Sequence, residues 1–291
     1  MEIRREGERK RPSSFWLLFN HVDAWQVALI IAALALLNHD VVNSKSTTLI
    51  LAIGAGYWLA FALNDYFDAP DDALDAVKAR RNFFVAHPAS ARDLLVSTGL
   101  ISIGIMVVFA QFGLRGAGWL LISYVAMWAY SAPPLRLKNR PMFDLLMHTF
   151  FVQTYPYFLT LTLIQASWTR LDGAMLLILF FASLTVQVEQ QLRDFEGDRV
   201  NGRNFTIMFG RLNSIRFLKW ATLLLIGIAA WVVLDGTIPR FLLPFGLISL
   251  PALLHRIIRP NEASRSQRLV IFSTTAGFLY TAVIFIYFLM R

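Results

Sequence analysis

Long apolar runs separated by short polar stretches make up most of the chain. Nine of them centre on residues 24–37, 48–63, 94–112, 119–130, 143–164, 174–188, 217–234, 241–254 and 269–290. A spanning helix needs about 20 predominantly apolar residues, so the shorter cores must extend into their polar flanks. The pattern predicts an all-α integral membrane protein with nine transmembrane helices. Residues 1–23 read as a separate lead-in. A basic stretch ends at Arg11, and Phe15, Trp16, Leu17, Leu18 and Phe19 then form a short interfacial helix. No small-residue cleavage site follows that run, so it does not read as a cleavable signal peptide. Residues 24–291 form one membrane domain.

Composition agrees. Of the 291 residues, 56% are apolar and 16% charged, against about 45–50% and about 25% in soluble domains. Aromatic residues at 14% suit lipid-facing surface and interfacial belts, and such a chain is not disordered. The absence of cysteine excludes a disulfide framework, thiolate zinc, iron–sulfur ligation and a cysteine nucleophile.

The net charge of +8 would suit nucleic acid if it formed one patch. It is instead distributed by loop. With the N-terminus cytoplasmic, 22 of the 27 Lys and Arg fall in inner segments, leaving Lys45, Arg115, Arg170, Arg240 and Arg291 outside. The positive-inside rule then places the N-terminus in the cytoplasm and the C-terminus outside. Nucleic acid is not an expected partner; membrane lipid is. Arg256, Arg259, Arg265 and Arg268 read as orientation determinants.

Nine of the 19 acids crowd two short windows, each at the cytoplasmic end of an apolar run. One holds Asp65, Asp68, Asp71, Asp72 and Asp75, the other Glu189, Asp194, Glu196 and Asp198. Carboxylates at that depth need cations or water. Asn64, Asp68 and Asp72 step by four, as do Asp194 and Asp198 with Gln190 one turn earlier, and such residues share a helix face. Pro70 falls inside the first set and is expected to end the helix near Ala69. Facing carboxylate pairs suit Mg²⁺, which takes oxygen ligands and shares them with phosphate. Lys78, Arg81, Arg136, Lys138, Arg199 and Arg203 lie in the same cytoplasmic loops, completing a candidate diphosphate site with Asp65 and Gln190. Asp71, Asp75, Asp93 and Glu196 read as caps or surface charge, and His87, His148 and His255 show no ligand spacing.

Three motifs together resemble the UbiA-type intramembrane prenyltransferases. Asn64-Asp65-Tyr66-Phe67-Asp68-Ala69-Pro70-Asp71-Asp72 is similar to that family's NDxxDxxxD. Leu192-Arg193-Asp194-Phe195-Glu196-Gly197-Asp198 is similar to its LRDxExD. Tyr130-Ser131-Ala132-Pro133-Pro134-Leu135-Arg136-Leu137-Lys138 is similar to its YSxPPxRxK loop. Departures are Asn82 where the family often has Pro, His87 where it has Gly, Gln190-Gln191 for paired Asn, and Gly202-Arg203-Asn204-Phe205-Thr206 for GKxTL. The resemblance implies a helical bundle around a central cavity open to the cytoplasmic side and laterally to lipid. It implies Mg²⁺ held by Asn64, Asp68 and Asp72 and by Asp194 and Asp198. Lys78, Arg136, Lys138 and Arg203 would then clamp the diphosphate, with Tyr130 hydrogen-bonded to it. The implied activity is transfer of an isoprenyl group from its diphosphate to a hydrophobic acceptor. Phe67, Trp128, Tyr155, Tyr157 and Phe195 are candidate aromatic walls for the cation. Two rivals remain: a membrane terpene cyclase of the same fold, and a cation transporter.

Overall fold

The computed structural model describes residues 21–86, 91–201, 203–261 and 265–290. The basic lead-in, its interfacial helix and His87 lie outside the described residues. No strand occurs among those described. The helices are α1 (Val22–Asn38), α2 (Ser44–Asp72), α3 (Ala76–Arg81), α4 (Phe83–Ala86), α5 (Ala91–Ala110), α6 (Gly113–Ser131), α7 (Phe143–Thr149), α8 (Tyr155–Ile164), α9 (Arg170–Arg193), α10 (Phe195–Asn201), α11 (Phe205–Phe209), α12 (Arg211–Leu234), α13 (Leu243–Ile258) and α14 (Gln267–Met290). Each apolar run of the sequence lies mainly on helix. Among the described residues five helical stretches, over α2, α9, α12, α13 and α14, are long and apolar enough to cross a membrane. Their outward faces carry large exposed apolar side chains, among them Leu51, Trp220, Trp231, Leu247 and Val283, as lipid contact requires.

Two capping boxes start long helices. Asn43 with Ser46 opens α2, and Thr169 with Asp172 opens α9. The run over 143–164 passes through a π turn at Phe150–Thr154, just before Pro156 in the first turn of α8. Proline supplies no N–H, and a wider turn accommodates its ring. Pro70 behaves otherwise than expected: α2 continues through it to Asp72. Only the last turn loses a donor, and the chain resumes its pattern at once, the Ala73 amide donating to the Ala69 carbonyl at 3.0 Å.

The core forms around α1, whose Ala28, Ala32 and Ala35 are wholly buried and admit close neighbours. One apolar cluster joins α1 to α2, α5, α6 and α8, and a second joins it to α8, α9 and α14. At the end of α9 remote from the acids, buried Asp172 accepts hydrogen bonds from Tyr157 Oη (2.8 Å) and Thr169, and contacts His39 Nε2 (3.0 Å). Asn38 Nδ2 donates to the same tyrosine at 2.8 Å. This network pins α1, α8 and α9 together, about 30 Å from Asp194 at the helical rise. It also places the Tyr157 hydroxyl away from the acidic windows.

Candidate active site

The last turns of α2 carry the first acidic window as far as Asp72, Asp75 lies in the turn before α3, and the loop after α6 folds over Asp68. Asp68 Oδ1 accepts from Arg136 Nη2 at 3.0 Å and from Lys138 Nζ. Lys138 also donates to Asn64 Oδ1 at 2.8 Å, and Asn64 Nδ2 donates to Asp68 Oδ2 at 3.0 Å. Asn64 thus links the lysine to the carboxylate, and Ser131 Oγ donates to the same amide oxygen at 3.3 Å. Arg136 reaches Asp71 as well, at 2.8 Å. Its backbone is left-handed (φ 38°), a strained setting for arginine, which places the guanidinium against both acids. Burial pulls on Arg136, but the hydrogen bonds it donates to Asp71 and Asp68 hold its pKa above the ordinary value. Burial wins at Lys138, lowering its pKa despite Asp68.

The second window meets the first through α3. Lys78 Nζ donates to Asp198 Oδ1 at 2.9 Å. Against the pull of burial, the Asp198 hydrogen bond and the charges of Asp198, Asp72 and Asp194 raise its pKa. One ammonium therefore lies in the field of carboxylates from both motifs. Asn204 Nδ2 holds the other Asp198 oxygen at 2.9 Å. Asp72 accepts from Asn82 Nδ2 at 2.9 Å, and that amide also reaches the Asp65 carbonyl at 2.8 Å.

Several candidates are placed differently from the expectation. Asp194 and Asp198 do not share a straight helix: α9 ends at Arg193, Asp194 is its cap, and α10 begins at Phe195. The helical step survives locally, since the Asp198 amide donates to the Asp194 carbonyl at 2.9 Å. The Asp194 carboxylate is taken by Arg193 through two bonds of 2.8 and 2.7 Å. Asp65 is buried and turned to His21 at 3.0 Å. Gln190 lies in the last turn of α9, where its carbonyl accepts from the Asp194 amide at 3.0 Å. Arg199 is exposed and 3.8 Å from Glu196, and Arg203 is exposed. Tyr130 lies in the last turn of α6 within the field of Asp144 and Asp68. The Arg81 side chain lies outside the described residues.

The structure adds residues that spacing did not single out. Asn82 and Asn204 stood in the sequence only as departures from the family pattern. Buried Asp144 on α7 accepts from Gln191 Nε2 (2.7 Å) and the Phe205 amide (2.9 Å), anchoring the segment that carries Asn204. Arg256 and Arg259 are more than orientation determinants: both bind buried Glu189, at 2.7 and 2.6 Å.

The donor set around these motifs is carboxylate and amide oxygen, the chemistry Mg²⁺ selects. Among the described residues no three acids group closely enough to cage a metal unaided. Mg²⁺ does not need such a cage, because it usually keeps waters and takes one or two carboxylates plus phosphate oxygens. The ammonium groups of Lys138 and Lys78 sit on the carboxylates as stand-in cations. The residues fit the ion.

Comparison with known proteins points the same way. A lycopene elongase/hydratase from Corynebacterium glutamicum is 28% identical over 158 residues, which is 54% of this chain and 55% of that protein. The chain therefore spans about half the length of the curated relatives it matches. The structure of a UbiA homolog from Archaeoglobus fulgidus bound to GPP and Mg²⁺ superposes with a TM-score of 0.68 at 19% identity, covering 94% of this chain and 99% of that one. The apo structure of a UbiA homolog from Aeropyrum pernix K1 gives 0.69 at 12% identity, covering 91% and 98%. The model of the UbiA prenyltransferase family matches residues 26–288, nearly the whole helical bundle and all three motifs, and the chain belongs to that family.

Proposed function

We propose that the protein transfers an isoprenyl group from an isoprenyl diphosphate to a hydrophobic acceptor, in a Mg²⁺-dependent reaction begun by ionisation of the allylic diphosphate. The observation that carries this reading is the meeting of both acidic motifs at Lys78, with Arg136 and Lys138 on the first of them. Asn64, Asp68 and Asp72 would hold one Mg²⁺, and Asp194 and Asp198 a second. Bound there, Mg²⁺ neutralises charge on the diphosphate and stabilises it as a leaving group. Lys78, Arg136 and Lys138 turn from the carboxylates to the diphosphate oxygens, exposed Arg203 joins them there, and Tyr130 donates a hydrogen bond to one of those oxygens. These groups stabilise the charge that grows as the C1–O bond breaks, in a site preorganised for it. Phe67, Trp128 and Phe195, neighbours of the motifs in the chain, offer π faces to the allylic cation.

The bundle is read as nine crossings around a cavity open to the cytoplasm and laterally to lipid, so that the charged head meets loops and the tail meets apolar helix. The Archaeoglobus homologue's GPP and Mg²⁺ support the donor class. The Corynebacterium elongase supports an apolar acceptor.

The test is reconstitution with Mg²⁺ and prenyl diphosphates of several lengths, following pyrophosphate and lipid products with and without a lipid extract. Extract-dependent release with a mass gain of whole isoprene units is expected. Release without extract, giving a cyclic hydrocarbon, would establish the cyclase instead. No release with any donor would overturn the diphosphate site.

A further inference from the structure

A cavity of about 240 Å³ opens at the acid-bearing end of the bundle, between the C-terminal ends of α9 and α13 and the N-terminal ends of α12 and α14. Its walls carry Arg193, Arg211, Lys219, Arg256, Arg259 and Arg265, against one carboxylate, Glu189, among the described residues. Glu189 binds Arg256 and Arg259, while Asp194 and Glu196 take Arg193 and Arg211. Lys219 Nζ donates to the Arg259 carbonyl at 3.2 Å.

Among the described residues, cations therefore outnumber the acids that answer them, and the guanidinium cannot shed its proton. Arg256 Nη1, Arg259 Nη1 and Arg265 Nε have no hydrogen-bond partner among the described residues. Arg256 is only 7% exposed, and each of these three N–H groups is itself buried. Burial and the nearby Arg193 charge hold Arg265 below its ordinary pKa, as expected beside uncompensated positive charge.

We propose that this cavity is a second anion site, adjoining the diphosphate site through the Arg193–Asp194 pair, which binds a phosphate group: the headgroup of an anionic phospholipid or free phosphate. Guanidinium forks match phosphate oxygens bidentately. The volume admits a phosphate with several waters at about 30 Å³ each. Leu212 and Ile258, chain neighbours of Arg211 and Arg259, are exposed and offer apolar surface to acyl chains beside a seated headgroup.

Delipidated full-length protein in detergent tests this by titration with dioleoyl phosphatidylglycerol, dioleoyl phosphatidylcholine and inorganic phosphate, read by native mass spectrometry and thermal shift. Phosphatidylglycerol is expected to bind about tenfold more tightly than phosphatidylcholine, with Arg265→Gln and Lys219→Gln each removing most of that margin. Neither side chain is fully buried, so both variants should fold. A stabilising shift with inorganic phosphate alone, lost in the same variants, assigns the site to the free anion. Equal binding of both lipids with no phosphate shift, or discrimination unchanged in both variants, overturns the proposal.

Discussion

Within the two motifs, two cations converge on Asp68, and Asp198 is held between a lysine and an amide. Converting either to asparagine keeps its shape and removes its charge. Asp68→Asn and Asp198→Asn are each expected to lower Mg²⁺-dependent pyrophosphate release at least about a hundredfold, while elution as a folded particle in detergent is retained. Full activity in either variant would remove that residue from the metal assignment. Asn82→Ala takes away one amide that serves both the Asp72 carboxylate and the Asp65 carbonyl. The loss of those bonds at a buried site should cost about 1–3 kcal/mol, seen as a lower melting temperature together with reduced turnover. An unchanged melting temperature would show that water replaces the amide. The acids were legible in the sequence because a four-residue step is a local property of helices. Their amide partners were not, because Asn82 and Asn204 lie outside the long helices, and only tertiary packing decides which carboxylate each one meets.

Helices meet here through small residues and buried charge, and each makes its own prediction. A Cβ at Gly116 would run into the Phe109 carbonyl oxygen, where α6 begins against the end of α5. A Cβ at Gly54 would instead meet the end of the Leu29 side chain at 2.6 Å, which can rotate away. Gly116→Ala should therefore destabilise by more than Gly54→Ala, at or above the about 1–3 kcal/mol typical of overpacking. Thermal unfolding in detergent checks the order, and the reverse order would refute the backbone contact. Glu189→Gln leaves two buried guanidinium groups facing a neutral amide and should cost about 3–5 kcal/mol. Glu196→Gln, at an exposed pair, should cost less than about 1 kcal/mol. Comparable losses would show that water reaches Glu189. Apolar length alone located the long helices, since a membrane helix must bury its backbone polar groups internally. Pro70 and the Asp194 cap were read the wrong way round. A proline in a last turn removes only one donor, whereas the break after Arg193 falls within an unbroken i, i+4 acidic pattern that gives no local sign of it.

Contacts between helix ends show which described segments share an end of the bundle. Lys45 Nζ, just inside α2, bonds the Gln111 carbonyl just after α5 at 3.0 Å and lies over the Phe112 ring. Arg115 at the start of α6 reaches the Thr162 carbonyl near the end of α8. Asp172 ties the start of α9 to the end of α1 through His39. Lys45, Arg115 and Arg170 thus gather at one end, away from Asp68, Asp198 and the cation-rich loops. Bundle geometry says which segments share an end; the excess of Lys and Arg decides which end faces the cytoplasm. Because the chain has no cysteine, each end can be labelled in an otherwise silent background. Lys45→Cys and Arg170→Cys should react with a membrane-impermeant maleimide added to intact cells. Arg140→Cys and Arg216→Cys, both exposed at the acid-bearing end, should react only after the membrane is permeabilised. The opposite pattern would put the acidic motifs outside, away from cytoplasmic prenyl diphosphates, and a mixed pattern within either pair would break the alternation of crossings on which the orientation depends.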